Sequence, residues 1–433
     1  MAKEVDICDF KDNVDEEVTI KGWMFNKRGS GKIMFLQLRD GTGMTQGVVF
    51  KPDVKEEVFK LADELTPESS VIITGKVTKH PKQEDVYELQ VSDIEIGQLV
   101  KEEYPISKKE HGPDFLLDNR HLWLRSKRQW AIQRVRFGII NATYEFFTKN
   151  GFLKIDTPIL TPNACEGTTD LFEIDYFEND SAFLTQSGQL YLEAAIMAHK
   201  RVFDFGPVFR AEKSKTRRHL TEFWMCNAEI AYGDLEDSQK VQEELIYYIV
   251  QYVLKNNLKD LELLERDIEA LKKIKTPFPR LTHIEAVKKL QELGSDIDER
   301  KDLGGDDETI LTKEYDNPIF VINYPKEIKA FYMKRDPEDQ SRAVCSDLLA
   351  PEGYGEIIGG GQREDDYDTL VKRIEEFNLP KDVFNWYLDL RKYGSVPHSG
   401  FGYGLERLVT WICGIKHVRE SIPFPRLLNR LTP

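Results

Sequence analysis

Residues 209–223, FRAEKSKTRRHLTEF, hold the densest group of charged side chains in this 433-residue chain. An apolar, strand-like run enters the segment, and a second run leaves it and ends at Glu229-Ile230-Ala231-Tyr232. Two strands joined by a basic loop form a hairpin that can present cations to a polyphosphate, because the planar fork of arginine matches phosphate oxygens. The alternative interpretation is a solvated, charged turn. The position of Arg210 and Glu212 at the end of the apolar run strengthens the binding-hairpin interpretation, and both interpretations stay open at this point.

Residues 398–408, HSGFGYGLERL, form a glycine-rich stretch that opens into a helix, with Leu408, Trp411 and Ile412 at helical spacing. Glycines let a ligand approach the backbone closely, and a helix start favours an anion. The run does not match the dinucleotide-binding fingerprint, since no acidic partner follows a strand–helix turn. The alternative is tight packing of a strand against a helix.

A third polar group combines Asp347 with residues 355–363, GEIIGGGQR. Carboxylates beside glycines suit Mg²⁺, which prefers oxygen ligands and usually bridges to substrate phosphates. Taken alone, these residues are better explained as ordinary surface acids.

The first hundred residues contain five strand-like runs with one helical pattern between the third and the fourth. This is the order of a Greek-key OB barrel, although many small β domains share it. The strands are predicted at 18–25, 33–39, 46–50, 71–78 and 86–96, and the helix at 54–65. Residues 104–118, with two prolines and a glycine, indicate a linker.

The remainder of the chain begins with an apolar helical stripe from Ile132 to Phe146, which Gly151 ends. Strands and helices then follow without regular alternation, which predicts an α+β fold with a mixed sheet rather than a doubly wound one. The strands are predicted at 182–185, 201–209, 319–323 and 354–358, and the helices at 241–254, 261–272 and 284–293.

Composition narrows the class of protein. The length suggests two or three domains. A formal charge of -15 argues against a nucleic-acid binder, but only weakly, because binding depends on the local field near the ligand rather than on the net charge. Five widely spaced cysteines without a Cys-x-x-Cys motif argue against disulfides or structural zinc and favour a reducing cytoplasm. No apolar run reaches membrane-spanning length, and the N-terminus lacks a secretory signal, so no membrane association is expected.

Together the three segments resemble, in order, the signature motifs of class II aminoacyl-tRNA synthetases. Thr157-Pro158 is similar to motif 1, which builds the dimer interface in that family. The closest subgroup comprises the aspartyl, asparaginyl and lysyl members, which carry an N-terminal OB-fold anticodon domain. The resemblance implies an anticodon-binding domain at 1–102, a hinge at 103–130 and a catalytic domain with a mixed, mainly antiparallel sheet at 131–433. Motifs 1, 2 and 3 would lie at about 136–162, 205–232 and 398–415.

The resemblance also implies roles for individual side chains. Arg210 and Arg407 would be catalytic, with Arg210 on the α-phosphate of ATP and Arg407 stacking on the adenine opposite Phe223. Asp347 and Glu356 would hold Mg²⁺. The residues that would bind ATP are Arg210, Glu212, Arg218, His219, Phe223, Glu356 and Arg407. In the barrel, Phe35 would stack on the central anticodon base, and Gln46 and Arg28 would assist on the same face.

The amino-acid substrate is inferred from one segment. Aspartyl members carry a Pro-Gln-Leu-x-Lys pattern whose lysine meets the substrate carboxylate; here Leu192 takes the lysine position and Gly188 that of the proline, which resembles asparaginyl members. Arg363 would bind the side-chain oxygen, while Glu166 and Gln189 would meet the α-amino group. Asn227, also placed at the substrate, stands where these members carry an acid, and this leaves discrimination against aspartate open.

The resemblance therefore implies a ligase that joins L-asparagine to tRNA(Asn) with ATP and Mg²⁺, as a cytoplasmic homodimer. An aspartyl or non-discriminating enzyme with the same chemistry is the first alternative. The second is a paralogue that no longer charges tRNA, or an adenylating enzyme similar to asparagine synthetase.

Overall fold

The computed structural model describes residues 2–107, 109–165, 170–177 and 180–433, and the chain divides into two compact units between Gly112 and Pro113. The first unit is a barrel in which strand order is β1-β2-β3-β4-β6-β5 and pairing of β2 with β5 closes the sheet. The predicted five-stranded OB barrel is thus confirmed, with a short extra strand, β1, beside β2. Its elements are β1 (Lys3–Glu4), β2 (Glu17–Ser30), β3 (Ile33–Arg39), β4 (Met44–Phe50), α1 (Glu56–Glu64), β5 (Ser70–Lys79) and β6 (Tyr87–Gln98).

Alternation along β3 separates the inside of the barrel from its outer surface. Met34, Leu36 and Leu38 are buried in the barrel core, whereas Phe35 and Gln37 face the other way and are partly exposed. This follows from the two-residue period of a strand. Phe35 is therefore not a core aromatic residue.

The second unit has an eight-stranded sheet and a separate three-stranded one. The large sheet has the order β13-β14-β15-β16-β17-β12-β11-β7 and is antiparallel except at its two outermost pairs; the small one has the order β8-β10-β9. The elements are α2 (Pro113–Asp118), α3 (Arg120–Trp123), α4 (Lys127–Lys149), β7 (Leu153–Lys154), β8 (Leu160–Thr161), β9 (Glu173–Tyr176), β10 (Asp180–Leu184), α5 (Gln189–His199), β11 (Arg201–Phe209), β12 (Glu222–Ala231), α6 (Leu235–Asn256), α7 (Leu258–Leu263), α8 (Ile268–Lys272), β13 (Arg280–Thr282), α9 (His283–Glu292), α10 (Gly305–Thr312), β14 (Ile319–Ile322), β15 (Cys345–Ala350), β16 (Gly355–Gln362), α11 (Tyr367–Glu376), α12 (Asn385–Lys392), β17 (His398–Gly404) and α13 (Leu405–Cys413).

The large sheet has one apolar and one polar face. On β12, Cys226, Ala228 and Ile230 join a core that also contains apolar side chains of α4, α6 and α13. The residues between them, Asn227 and Glu229, point to the opposite face, which we call the site face. Helices thus cover one side of the sheet, and this rigid support positions the polar residues of the other.

Two local predictions differ from the structure. The stretch 103–130, predicted as a hinge, contains α2, α3 and the start of α4. The helix predicted at 261–272 is broken into α7 and α8, because Glu265 adopts a φ of 58° and the Asp267 side chain caps a new helix through the amides of Glu269 and Ala270. Among the described residues, no helix is long and apolar enough to cross a membrane.

Candidate active site

Paired glycines form the floor of the site face. Gly402 of β17 lies opposite Gly359 of β16, and Gly400 lies opposite Gly361. A Cβ atom on Gly402 would be 2.5 Å from Asn227 Oδ1, and one on Gly400 would be 2.2 Å from Glu229 Oε1. The glycines are therefore required by the neighbouring polar side chains, and they leave a shallow trough across the middle of the sheet.

One end of the trough carries the residues predicted to bind the adenine and the α-phosphate. Arg210 follows β11, and its Cζ atom lies 5.6 Å from the ring centroid of Phe223 on β12. The Phe223 ring is also 3.8 Å from the position that a Cβ on Gly404 would take. Arg407, in the first turn of α13, donates to Glu356 Oε2 at 2.9 Å and to the Glu356 carbonyl at 3.0 Å. Cations and a ring thus frame a space that suits a planar, anionic ligand.

The basic loop after Arg210 is attached to a helix to which sequence reasoning assigned no function. Arg218 pairs with Glu308 of α10 at 2.5 Å and donates to Thr309 Oγ1 at 2.6 Å. Burial lowers the pKa of Arg218, with the positive charge of Arg407 as a further cause, and burial likewise lowers the pKa of His219. Arg218 and Arg407 line one cavity of about 230 Å³, while Arg210, Glu212 and His219 line a second of about 20 Å³.

The two carboxylates predicted to bind a metal face the same space. A Cβ on Gly359 would lie 3.2 Å from Glu356 Oε1 and 3.6 Å from Asp347 Oδ1. A bulge where β15 pairs with β16 brings Glu356 to this face, since the register shifts between Leu348 and Leu349.

Charges nearby give these two carboxylates different pKa values. Burial raises the pKa of Asp347 to about 6, although Lys329 at 2.6 Å opposes the shift. Burial also acts to raise the pKa of Glu356, but Arg407 and Lys329 together lower it. Within the described part of the chain, no group of three or more acidic, histidine or cysteine side chains is arranged to hold a metal ion.

The other end of the trough carries the predicted amino-acid residues. Arg363 is buried and contacts both oxygens of Glu229, from Nη2 at 2.5 Å and from Nε at 3.2 Å. Burial acts to lower the pKa of Arg363, but Glu229 raises it above its usual value, so the guanidinium stays charged. Asn227 lies two residues before Glu229 and donates from Nδ2 to Asp204 at 2.8 Å. Glu166 lies outside the described residues.

Gln189 is hydrogen-bonded to a buried ionic cluster that the sequence analysis did not predict. Its Nε2 atom is 3.2 Å from Oε1 of Glu193, and Oε2 of Glu193 is 2.8 Å from Arg391 and 3.0 Å from His398. Tyr387 donates its hydroxyl to the same Oε2 at 2.7 Å. Burial acts to raise the pKa of Glu193, but Arg391 and His398 lower it below its usual range. Gln189 is thereby held in place by the cluster.

Sequence signals for the missed residues differ in strength. Glu193 follows Gln189 by four positions, which places both on one side of a helix, and His398 begins the glycine-rich strand. Glu308 and Asp204 carry no comparable local signal. Leu192, at the lysine position of aspartyl members, is buried against Ile196 and Val202 and presents no cation to the site.

The predicted anticodon residues are brought together on the outer surface of the barrel. Arg28 and Phe35 are paired in the β2–β3 register, with the Arg28 Cζ atom 5.1 Å from the ring centroid. Arg28 also donates to Gln46 Oε1 at 3.1 Å, and Gln46 donates to Glu88 at 2.6 Å. One stacking ring and an oriented amide therefore share a surface.

Comparisons with known proteins agree with this geometry. The family described as tRNA synthetases class II (D, K and N) matches residues 112–428, and the OB-fold nucleic acid binding domain matches residues 18–96. The asparagine–tRNA ligase of Desulforamulus reducens is 57% identical over 421 residues, which is 97% of this chain and 97% of that protein.

Two solved structures of asparaginyl-tRNA synthetases align with this chain over the full length of both proteins. The asparaginyl-tRNA synthetase of Pyrococcus horikoshii, complexed with asparaginyl-adenylate, has a TM-score of 0.96 at 46% identity. The asparaginyl-tRNA synthetase of Entamoeba histolytica, also with asparaginyl-adenylate, has a TM-score of 0.90 at 32% identity. The chain thus belongs to the class II tRNA synthetases of the D, K and N group.

Proposed function

We propose that this chain activates L-asparagine with ATP and transfers it to the 3′ end of tRNA(Asn). One observation carries the proposal: the same-face residues of β12 run from Phe223 through Asn227 to Glu229, beside a floor of glycines. A nucleotide site at the Phe223 end and an amino-acid site at the Glu229 end would hold the two halves of an aminoacyl adenylate. The relatives whose structures contain asparaginyl-adenylate support this assignment.

The reaction needs no nucleophilic side chain. An oxygen of the asparagine α-carboxylate attacks the α-phosphorus of ATP, and the bond to the β-phosphate oxygen breaks to release pyrophosphate. The terminal ribose hydroxyl of tRNA then attacks the carbonyl carbon, and AMP leaves. Arg210 would neutralise charge that develops on the α-phosphate, and Arg407 and Phe223 would hold the adenine. Arg218 and His219 would bind the outer phosphates. Glu212 would contact the nucleotide or the end of the tRNA.

Mg²⁺ fits the pair formed by Asp347 and Glu356. This ion is usually bound by one or two carboxylates together with substrate phosphates, and both side chains face the space above Gly359. When bound, the ion would add positive charge beside the phosphates. Lys329 and Arg407 keep the two carboxylates in place and compensate their charge.

Asparagine would be recognised at the Arg363 end of the trough. Because Glu229 occupies one edge of the Arg363 guanidinium with both its oxygens, Arg363 would donate to the substrate side-chain oxygen without offering an uncompensated charge. Gln189, and Glu166 by resemblance, would bind the α-amino group.

The outer surface of the barrel would bind the anticodon. Phe35 offers a stacking surface, Gln46 an amide held by Glu88, and Arg28 a positive charge beside both. Stacking on an aromatic ring and hydrogen bonding to a base edge are how single-stranded RNA is usually recognised.

A homodimer would form through the motif 1 region. Its side chains Phe137, Leu153 and Leu160 are 64%, 47% and 44% exposed, and exposed apolar side chains are typical of an interface with a partner. The five cysteines are free, which supports a reducing, cytoplasmic location.

Pyrophosphate exchange tests the proposal. We expect purified protein to exchange labelled pyrophosphate into ATP with L-asparagine and to do so far more slowly with L-aspartate. Equal rates with both amino acids would indicate the non-discriminating alternative. Exchange without charging of purified tRNA(Asn) would indicate the adenylating alternative that does not act on tRNA.

A further inference from the structure

Asn227 is held in one orientation by a directed set of hydrogen bonds. Asp204 Oδ1 accepts from both the backbone amide and the Nδ2 atom of Asn227, at 3.1 and 2.8 Å. Thr157 donates to the other carboxylate oxygen at 2.8 Å. Asp204 is one strand away from Asn227 and directly opposite it in the β11–β12 register.

The other side of Asn227 is equally specified. Ser187 Oγ accepts from the backbone amide of Gln189 at 3.2 Å, so its own hydrogen can be donated to Asn227 Oδ1, 3.1 Å away. The carboxylate therefore takes the NH₂ group of Asn227, and the hydroxyl takes its oxygen. This leaves the second lone pair of Oδ1 beside Gly402, whose added Cβ would lie 2.5 Å from that oxygen.

Gly188 is required by the same carboxylate. A Cβ atom at position 188 would lie 1.7 Å from Asp204 Oδ2 and 2.4 Å from Thr157 Oγ1. Any other residue would thus have to displace Asp204. The glycine that resembles asparaginyl members and the buried acid are therefore parts of one arrangement.

We propose that Asp204 is a positioning residue for amino-acid specificity, which acts by fixing the Asn227 carbonyl oxygen toward the side chain of the substrate. This inference rests on the proposed asparagine site. An acceptor oxygen favours the NH₂ group of a carboxamide and opposes a carboxylate. Asp204 adds a negative charge one strand further on, directly opposite Asn227.

The surrounding charges are consistent with this role. Arg363 is neutralised by Glu229, and Leu192 adds no cation, so neither position offers an unpaired positive charge to aspartate. Burial raises the pKa of Asp204, and its bonds from Asn227 and Thr157 oppose that rise. Those bonds favour the ionised form, which can only accept.

The test compares kcat/KM for L-asparagine and L-aspartate in pyrophosphate exchange. In the near-isosteric Asp204→Asn variant the Asn227 amide is free to reverse, and we expect the asparagine-to-aspartate ratio to fall by about tenfold or more. Gly188→Ala, which displaces the carboxylate, should change the ratio in the same direction. Thr157→Val removes only the bond to Oδ2 and should keep the ratio within about twofold of the original.

A rescue variant separates positioning from folding. Asp204→Asn combined with Asn227→Asp keeps one amide and one carboxylate in the same volume, and places the negative oxygen beside Gly402. We expect it to recover the ratio lost in Asp204→Asn. An unchanged ratio in Asp204→Asn, an equal loss with both amino acids, or failure of the double variant to recover the ratio would each overturn the inference. If Asp204→Asn does not fold, the ratio of the double variant decides.

Failure of the proposed function gives a different result. A wild-type protein that does not exchange with asparagine contradicts the proposed substrate, whatever the variants do. A wild-type protein that prefers asparagine, with the same preference in Asp204→Asn and Gly188→Ala, contradicts only the role of Asp204.

Discussion

The barrel surface and the site face of the large sheet use charge in different ways. Arg28 is exposed and contacts Phe35 and Gln46, so the barrel offers a ring, an amide and a solvated charge. On the site face, Arg363 and Glu229 are 1% and 0% exposed at their side chains and bind each other at two points. A flexible base can be stacked on a simple surface, whereas a buried site that must distinguish a carboxamide from a carboxylate needs its own charges paired beforehand.

Arg407 should show the largest effect, because it lies at the charged end of the trough, where the proposed nucleotide would bind. We expect Arg407→Ala to lower kcat/KM in pyrophosphate exchange by about 10²- to 10³-fold, as loss of one preorganised group does. Size-exclusion chromatography should show an unchanged oligomeric state. A fully active variant would contradict the role of Arg407. Lys416→Ala, on the same cavity but outside the predicted ATP residues, is the matched control and should stay within about threefold of wild type.

Arg391 tests how much the buried ionic cluster contributes to stability. Its pair with Glu193 is 0% exposed on both sides, so Arg391→Leu should lower the free energy of unfolding by about 3–5 kcal/mol. The reason is that the buried Glu193 carboxylate loses its arginine and keeps only weaker partners in His398, Tyr387 and Gln189. The next residue provides the control: Lys392 pairs with Asp389 at the surface, and Lys392→Ala should change stability by less than about 0.5 kcal/mol. Urea unfolding of both variants measures the difference, and similar losses would refute it.

Burial of His283 should make the stability of the second unit depend on pH. Burial lowers its pKa from 6.5 to about 4, so the folded chain keeps this ring neutral while the unfolded chain binds a proton below pH 6.5. The contribution of the neutral His283 ring to the free energy of unfolding is therefore complete above about pH 6.5 and is lost as pH falls toward 4. We expect His283→Gln to lose less stability than wild type between these values. Parallel curves of unfolding free energy against pH would contradict this expectation.

Substitution of Phe35 should affect the function of the barrel without affecting that of the site face. Losing one stacked base typically costs about 1–3 kcal/mol of binding, so Phe35→Ala should raise the KM for tRNA about 5- to 150-fold and leave pyrophosphate exchange unchanged. Phe50→Ala is the control on the same barrel, because Phe50 is also exposed but stands at the far end of β4 from Gln46. Equal losses in charging and in exchange would argue against an anticodon role.

An exposed barrel ion pair should show the smallest effect. Lys76 and Asp15 are 2.9 Å apart, but their side chains are 54% and 75% exposed. Lys76→Ala should change the free energy of unfolding by less than about 0.5 kcal/mol, since water and salt screen such a pair. A loss comparable to that of Arg391→Leu would remove the contrast between the two regions.

Local patterns were sufficient for much of the fold. Four of the five barrel strands were predicted within two residues at each end, because a half-buried strand alternates apolar and polar side chains at every second position. The other strand, β2, continues five residues beyond its predicted end at Phe25. The helix ending before Gly151 and the strand–helix junction at Gly404 were predicted for similar reasons. Where two neighbouring residues changed the backbone, as at Glu265 and Asp267, apolar periodicity alone did not locate the break.

The sequence by itself determined the chemistry of the site. The arginines, carboxylates and glycines stand in the order of the class II motifs, and this order indicates a site for a nucleotide and an amino acid. Tertiary structure alone decided which of them touch. Strand pairing placed Asp204 against Asn227, a bulge brought Glu356 beside Asp347, and folding joined Glu193 to His398, 205 residues away. Register, bulges and contacts between distant segments depend on packing of the whole sheet, which no local window of sequence contains.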